Sequence, residues 1–282
     1  MERLDLEVPA LDGTPLRATL FEAQSPSKAV IVGGATAVPR GFYDNFAAHL
    51  AERGVSTLTY DYRGSGGSAR ELRGSAARMR DWGALDFPGA IAWMRERYPA
   101  VPLHVVGHSA GGHALLMTPN GSEITSSVTV ATQLGYWRLC APGERYRVWL
   151  LLNTLAPLLV LATGYVPGAK LGLGENIASG VMRDWRKWIG SPNYFFDDPT
   201  MRETLAGATY RAPTLIAGMS DDTWGTPHAV DAFAKYFDNA QRLTVEPQAY
   251  GLGAVGHFGF FRSRNGPALW PIVTRYLGIE DL

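Results

Sequence analysis

Ser109 sits at the centre of the pentapeptide Gly107-His108-Ser109-Ala110-Gly111. Before it, Val101-Pro102-Leu103-His104-Val105-Val106 is a short apolar run that reads as a buried strand, and Gly112 to Met117 after it reads as a helix. A serine on the sharp turn between a strand and a helix is placed to act as a nucleophile. The turn lifts its hydroxyl above the sheet edge, and the helix N-terminus favours developing negative charge. The flanking glycines leave room for a strained turn. The blander reading, a glycine-rich structural turn, needs neither the strand nor the helix.

A serine nucleophile needs a base to take its proton and an acid to orient that base. On a turn of this kind the acid and then the base follow later in the chain. Asp221 and Asp222 follow the apolar run Thr214 to Gly218, and His257 lies in the glycine-rich loop Gly251 to Gly259. Asp222 is the expected acid and His257 the expected base, with Asp221 as the alternative acid. The aspartate left over is expected to cap the helix that begins near Pro227. His49, His104, His113 and His228 fall within strands or helices and are expected to be structural, whereas His108, beside the serine, is expected to line the pocket. Two backbone amides must face the developing oxyanion. One is expected at Ala110, and the other in Gly33-Gly34-Ala35-Thr36-Ala37-Val38-Pro39, at Ala35 with Thr36 as the alternative. No His, Cys, Asp or Glu spacing resembles a zinc site, and no glycine-rich loop ends in Gly-Lys-Ser/Thr, so neither metal nor cofactor is expected.

Alternating elements surround these residues. Leu4 to Val8 and Leu16 to Phe21 flank Asp12-Gly13 as a hairpin. Ala29 to Val32, Val55 to Tyr60, the run before Ser109, Ile124 to Ala131, Thr214 to Gly218 and Arg242 to Glu246 read as strands. Phe42 to Arg53, Ala76 to Tyr98 (despite Pro88), Ala229 to Phe237 and Ala268 to Leu277 read as helices. This alternation predicts a mostly parallel sheet covered on both faces. Residues 133–205 break it and are expected to form a helical cap inserted into a core of residues 1–132 and 206–282. That span holds Trp137, Trp149, Trp185 and Trp188 and the apolar run Val148 to Ala162. The four tryptophans, with His108, are the expected substrate-binding residues. The apolar run is expected to pack as a cap helix facing the site. Its rivals are a surface meeting lipid or a partner, and a membrane span, which Asn153, Thr154 and Pro157 interrupt.

The 282 residues carry 26 Lys and Arg against 26 Asp and Glu, so the net charge is zero and no nucleic-acid footprint is expected. The one cysteine, Cys140, cannot form an internal disulfide. Glu2, Arg3, Asp5 and Glu7 stand where a signal peptide needs an apolar core, so a cytoplasmic location is expected.

Together these residues resemble the α/β-hydrolase superfamily over essentially the whole chain. Tyr60 to Ser68 (YDYRGSGGS) is similar to its D-x-R-G-x-G-x-S loop. Gly256 to Arg262 (GHFGFFR), Leu269-Trp270-Pro271 and Gly180 to Trp188 (GVMRDWRKW) resemble a little-studied branch of bacterial serine hydrolases. Gly33-Gly34 departs from the usual His-Gly ahead of the oxyanion residue. The resemblance implies a serine hydrolase. From the residues we expect cleavage of a carboxylic ester or thioester with an apolar acyl or aromatic group. An acyltransferase using the same triad is the first alternative, and a non-catalytic ligand-binding protein on this fold the second.

Overall fold

A computed structural model describes residues 1–172 and 174–279. Among these, ten strands form: β1 (Glu2–Pro9), β2 (Pro15–Glu22), β3 (Lys28–Gly33), β4 (Val55–Tyr60), β5 (Leu103–His108), β6 (Ser126–Val130), β7 (Tyr165–Val166), β8 (Ile177–Ala178), β9 (Thr214–Met219) and β10 (Ala240–Val245). Eight make one sheet in the order β1-β2-β4-β3-β5-β6-β9-β10. Only the β1/β2 and β2/β4 pairings are antiparallel; every pairing from β4 to β10 is parallel.

Every residue of β4, β5 and β9 is buried, which is why these stretches lack apolar-polar alternation. Neighbours along a strand face opposite sides. Val105 joins the layer of Phe87, Ile91, Met94 and Phe233, whereas Val106 joins that of Phe46, Leu50, Leu269 and Val273. The helices supplying these layers are α1 (Asp44–Ala51), α2 (Met79–Asp81), α3 (Phe87–Arg97), α4 (Ala110–His113), α5 (Pro142–Leu150), α6 (Ala156–Thr163), α7 (Ser179–Ile189), α8 (Arg202–Gly207), α9 (Pro227–Ala234) and α10 (Gly266–Tyr276).

The helix expected from Ala76 begins at Met79, where the Asp81 carboxylate accepts the Arg78 amide at 3.0 Å. Pro88 is accommodated by a wide turn, Trp82–Asp86, closed by the Phe87 amide on the Trp82 carbonyl. The same device joins α5 to α6: Leu151–Leu155 is a wide turn closed by the Ala156 amide on the Leu151 carbonyl, one residue before Pro157. A proline ring crowds the carbonyl four residues back. Widening the preceding turn moves that carbonyl aside, so the helix continues.

Between β6 and β9 the chain adds α5 to α8 and the β7–β8 ladder. Buried Asp184 of α7 accepts hydrogen bonds from Arg78 and Arg80, and Lys187 pairs with Asp198 at 2.7 Å. These charges pin the inserted helices against α2, at the end of the sheet where parallel strands leave their C-termini. Sites in open α/β sheets form at that end.

Candidate active site

Ser109 follows β5 with φ 50° and ψ −112°, a conformation that a side chain adopts only under constraint. Close packing holds it there. A Cβ on Gly107 would lie 2.6 Å from the Gly112 nitrogen, and one on Gly111 would lie 2.1 Å from the Gly33 carbonyl oxygen. Both glycines are therefore required by β3 and α4 pressing on the turn. The Ser109 amide donates to the Val130 carbonyl (3.0 Å), and its carbonyl accepts from the Thr132 hydroxyl (3.0 Å).

His257 lies across this turn. Its Nε2 is 3.1 Å from Ser109 Oγ, and its Nδ1 is 2.7 Å from Asp222 Oδ2. A carboxylate only accepts, so Nδ1 carries the proton and Nε2 is left to accept from the serine. Asp222 Oδ1 accepts the amides of Trp224 (2.8 Å) and Gly225 (2.9 Å). Burial works to raise the Asp222 pKa. The attraction and hydrogen bond of His257, with the Gly225 and Trp224 amides, more than offset it and hold the carboxyl below its ordinary value.

Asp221 has a different place from the one expected. It does not cap α9; Thr226 does, its hydroxyl accepting the Ala229 amide at 3.3 Å. Asp221 instead accepts the amides of Val255 (2.7 Å) and Gly256 (2.9 Å), gripping the loop that delivers His257. The two adjacent aspartates thus hold one histidine, one by its ring and one by its backbone approach.

Ala35 is likewise corrected. Its amide donates to the Tyr43 hydroxyl at 2.8 Å, so it is not free for an oxyanion. The next residue, Thr36, lines the cavity at Ser109, and among the described residues its amide meets no acceptor. Ala110, the first residue of α4, has no acceptor within its helix for its amide.

His108 does not line that cavity. It is fully buried, with Nδ1 2.8 Å from the Tyr43 hydroxyl and Nε2 2.8 Å from the His257 carbonyl oxygen. Burial, reinforced by the nearby His257, pushes its pKa down to about 3, so the ring is neutral. Nε2 must donate to the carbonyl, and Nδ1 therefore accepts from Tyr43. His113 is neutral by the same burial, its pKa lowered to about 4, with Nε2 donating to the Gln133 carbonyl at 2.8 Å.

Of the four tryptophans, Trp185 alone lines the cavity at Ser109. Trp188 is buried and donates to Asp198 at 2.9 Å, packing the inserted helices onto the core. Trp137 and Trp149 sit outside, their rings 6.5 Å apart, with Trp149 42% exposed. Sequence reasoning missed Trp224. Its ring lies 6.0 Å from that of His257, and its Nε1 donates to Glu144 at 2.6 Å. Its position two residues after Asp222 was the available signal. Val148, Tyr136, Tyr194 and Phe258 also line the cavity and were not singled out.

The cavity at Ser109 is small, about 50 Å³. Thr36, Val148, Trp185, Trp224 and Phe258 also line a second cavity of about 560 Å³, continuing among Leu151, Leu152, Leu159, Val166, Ile177 and Met182. The cavity at Ser109 thus shares a wall with a larger apolar channel beneath the α5–α6 helix.

The parallel sheet, the strained serine turn after β5 and the helices on both faces are those of an α/β-hydrolase, and the chain is a serine hydrolase. It belongs to the serine aminopeptidase S33 family, whose pattern matches residues 24–184, more than half of its length. Hydrolyase poxO of Penicillium oxalicum is 26% identical over 94% of this chain and 68% of its own. Among solved structures, a soluble variant of the Saccharomyces cerevisiae monoglyceride lipase is similar at a TM-score of 0.68, with 16% identity over 99% of this chain and 95% of that one. The Pyrococcus furiosus esterase Pf2001 is similar at 0.62, with 17% identity over 98% and 91%. The α/β hydrolase GrgF from Penicillium sp. sh18 is similar at 0.63, with 18% identity over 99% and 98%.

Proposed function

We propose that this serine hydrolase cleaves a carboxylic ester or thioester bearing an apolar acyl or aromatic group. The observation that carries the reading is the channel lined by Leu151, Leu152, Leu159 and Met182, which shares Trp185, Trp224 and Phe258 as wall residues with the cavity at Ser109. Ligand sites are mostly apolar walls with a few polar groups that fix orientation. Ser109 Oγ attacks the carbonyl carbon, and its proton passes to His257 Nε2, whose Nδ1–H stays on Asp222. The amides of Ala110 and Thr36 hold the oxyanion. Collapse of the tetrahedral species expels the alcohol or thiol, which takes the proton from His257, and leaves the acyl group on Ser109. A water activated by His257 then releases the acid.

A fluorophosphonate probe tests the nucleophile. Labelling of the wild type, lost in a folded Ser109→Ala variant together with a kcat fall on the order of 10³ or more, supports the mechanism. A folded Ser109→Ala variant with wild-type turnover overturns it. Product analysis with and without an added alcohol distinguishes hydrolysis from acyl transfer, which would need water kept out of the same site.

A further inference from the structure

We infer that the outward face of the continuous helix from Pro142 to Thr163 docks on an anionic lipid bilayer, lying in the plane of its surface. This helix is long and apolar enough, by length and composition, to cross a membrane, yet it is seated on the protein along one side through Val148, Leu152 and Ala156. On the other side Leu150, Leu155, Leu158 and Leu161 are 56, 42, 58 and 85% exposed. Scattered exposed leucines are ordinary; a row of them on one helix marks a contact surface. The five-residue step from Leu150 to Leu155 crosses the wide turn, whose bonds span five residues, so the row stays on one side.

The surroundings of this face fit lipid headgroups. Val148 to Ala169 carries no charged residue, and Arg147 and Lys170 bracket it. At the N-terminal end the exposed Tyr146 and Trp149 rings lie 6.0 and 6.5 Å from Trp137, with the Arg138 guanidinium 5.2 Å over the Trp137 ring. Aromatic rings and cations beside a leucine face are the composition of helices that lie in a bilayer interface. Residues 138–190 hold seven Arg and Lys against three Asp and Glu, in a chain whose charges balance overall. Of those three acids, Asp184 is buried and Glu144 is held by Arg147 and Trp224. The sequence around this helix thus carries a basic excess, Arg147 and Lys187 being paired with Glu144 and Asp198, and such an excess suits an anionic surface.

The same helix roofs the channel beside the Ser109 cavity through Leu151, Leu152, Ala156 and Leu159. Docking would thus bring the channel to the phase in which long-chain esters dissolve. This last link rests on the function proposed above; the docking itself does not.

The test is flotation of the full chain carrying Ser109→Ala, which removes turnover from the readout, with vesicles of phosphatidylcholine alone or mixed with phosphatidylglycerol. The mixed vesicles are expected to capture the protein, less so as salt is raised. Adding Leu158→Glu and Leu161→Glu is expected to cut the bound fraction by about tenfold or more, the apolar contact being replaced by repelled charge. In the Ser109 background that double variant should hydrolyse a water-soluble acetate ester at the unaltered rate, which shows it folded. No capture by mixed vesicles, or equal capture of the double variant, overturns docking. A dimer that the double variant dissolves, without vesicle capture, assigns the face to a second copy and overturns it too. Capture without fluorophosphonate labelling of the wild type would remove the proposed chemistry and leave docking standing.

Discussion

Tyr43 and His108 are joined by a hydrogen bond of 2.8 Å that connects the two loops meeting over Ser109. On one side the Tyr43 oxygen accepts the Ala35 amide; on the other His108 donates to the carbonyl of His257. The base and the oxyanion loop are therefore held in register by a buried polar chain. Tyr43→Phe would leave the Ala35 amide and His108 Nδ1 unpaired in the interior, at about 1–3 kcal/mol each. The denaturation midpoint should fall, and kcat should drop by about tenfold with KM little changed, since each 1.4 kcal/mol of lost transition-state stabilisation is tenfold in rate. Equal kcat in Tyr43→Phe and wild type would show that the chain only fills space.

The adjacent aspartates should separate in kinetics. Asp222→Asn removes the acceptor that fixes the His257 tautomer, and a fall in kcat on the order of 10⁴ is expected. Asp221→Asn weakens the grip on the Val255 and Gly256 amides. That should cost about 1–3 kcal/mol of stability and much less activity. Steady-state kinetics beside urea titrations decide the matter, and a larger activity loss in Asp221→Asn would exchange the two roles.

Acid should destabilise the fold through its buried histidines. Burial lowers the pKa of His104 to about 4, of His108 to about 3 and of His113 to about 4, from an ordinary 6.5. Between those values these three sites bind more protons in the unfolded chain than in the folded one, so their contribution is complete above pH 6.5 and falls as pH drops toward 4, while Asp86, its pKa raised to about 7 by burial, offsets about one of them. The slope is at most about 1.4 kcal/mol per pH unit for each histidine. Urea midpoints at pH 7, 6 and 5 should decline, and His104→Gln, distant from Ser109 on β5, should flatten the decline. A midpoint that is constant from pH 7 to 5 contradicts this.

The channel sets a chain-length preference. Each buried methylene contributes roughly 0.8 kcal/mol, so kcat/KM should rise about tenfold or more from acetyl to octanoyl p-nitrophenyl esters. Leu159→Trp, placed in the channel wall, should abolish that rise while leaving acetate turnover unchanged. A flat wild-type series would instead make the apolar wall a packing surface.

The sheet and its order of elements were legible because buried parallel strands are continuous apolar runs. The positions of Ser109, Asp222 and His257 could be read because a strand-to-helix turn and two later loops announce themselves in local sequence. What was hidden is pairing across space. Nothing near Ala35 in the sequence says that its amide is already used by Tyr43, and nothing near Asp221 says that it reaches 34 residues ahead to Val255. The tryptophans mislead for a related reason. Residue type predicts that Trp137, Trp149 and Trp188 pack against something, but the packing of their elements decides whether that is substrate space, core or surface.

That wide turn gives the roof helix a counting rule. One residue advances an α-helix by about 100°. Deleting a single residue within Leu151–Leu155 would let the turn close as ordinary helix, and the four-residue step that remains would keep the residues after it on the faces they now occupy. The deletion would, however, make Pro157 press again on the carbonyl four residues behind it. The extra residue thus relieves the proline without turning the roof: a one-residue deletion there should be far better tolerated beside Pro157→Ala than alone.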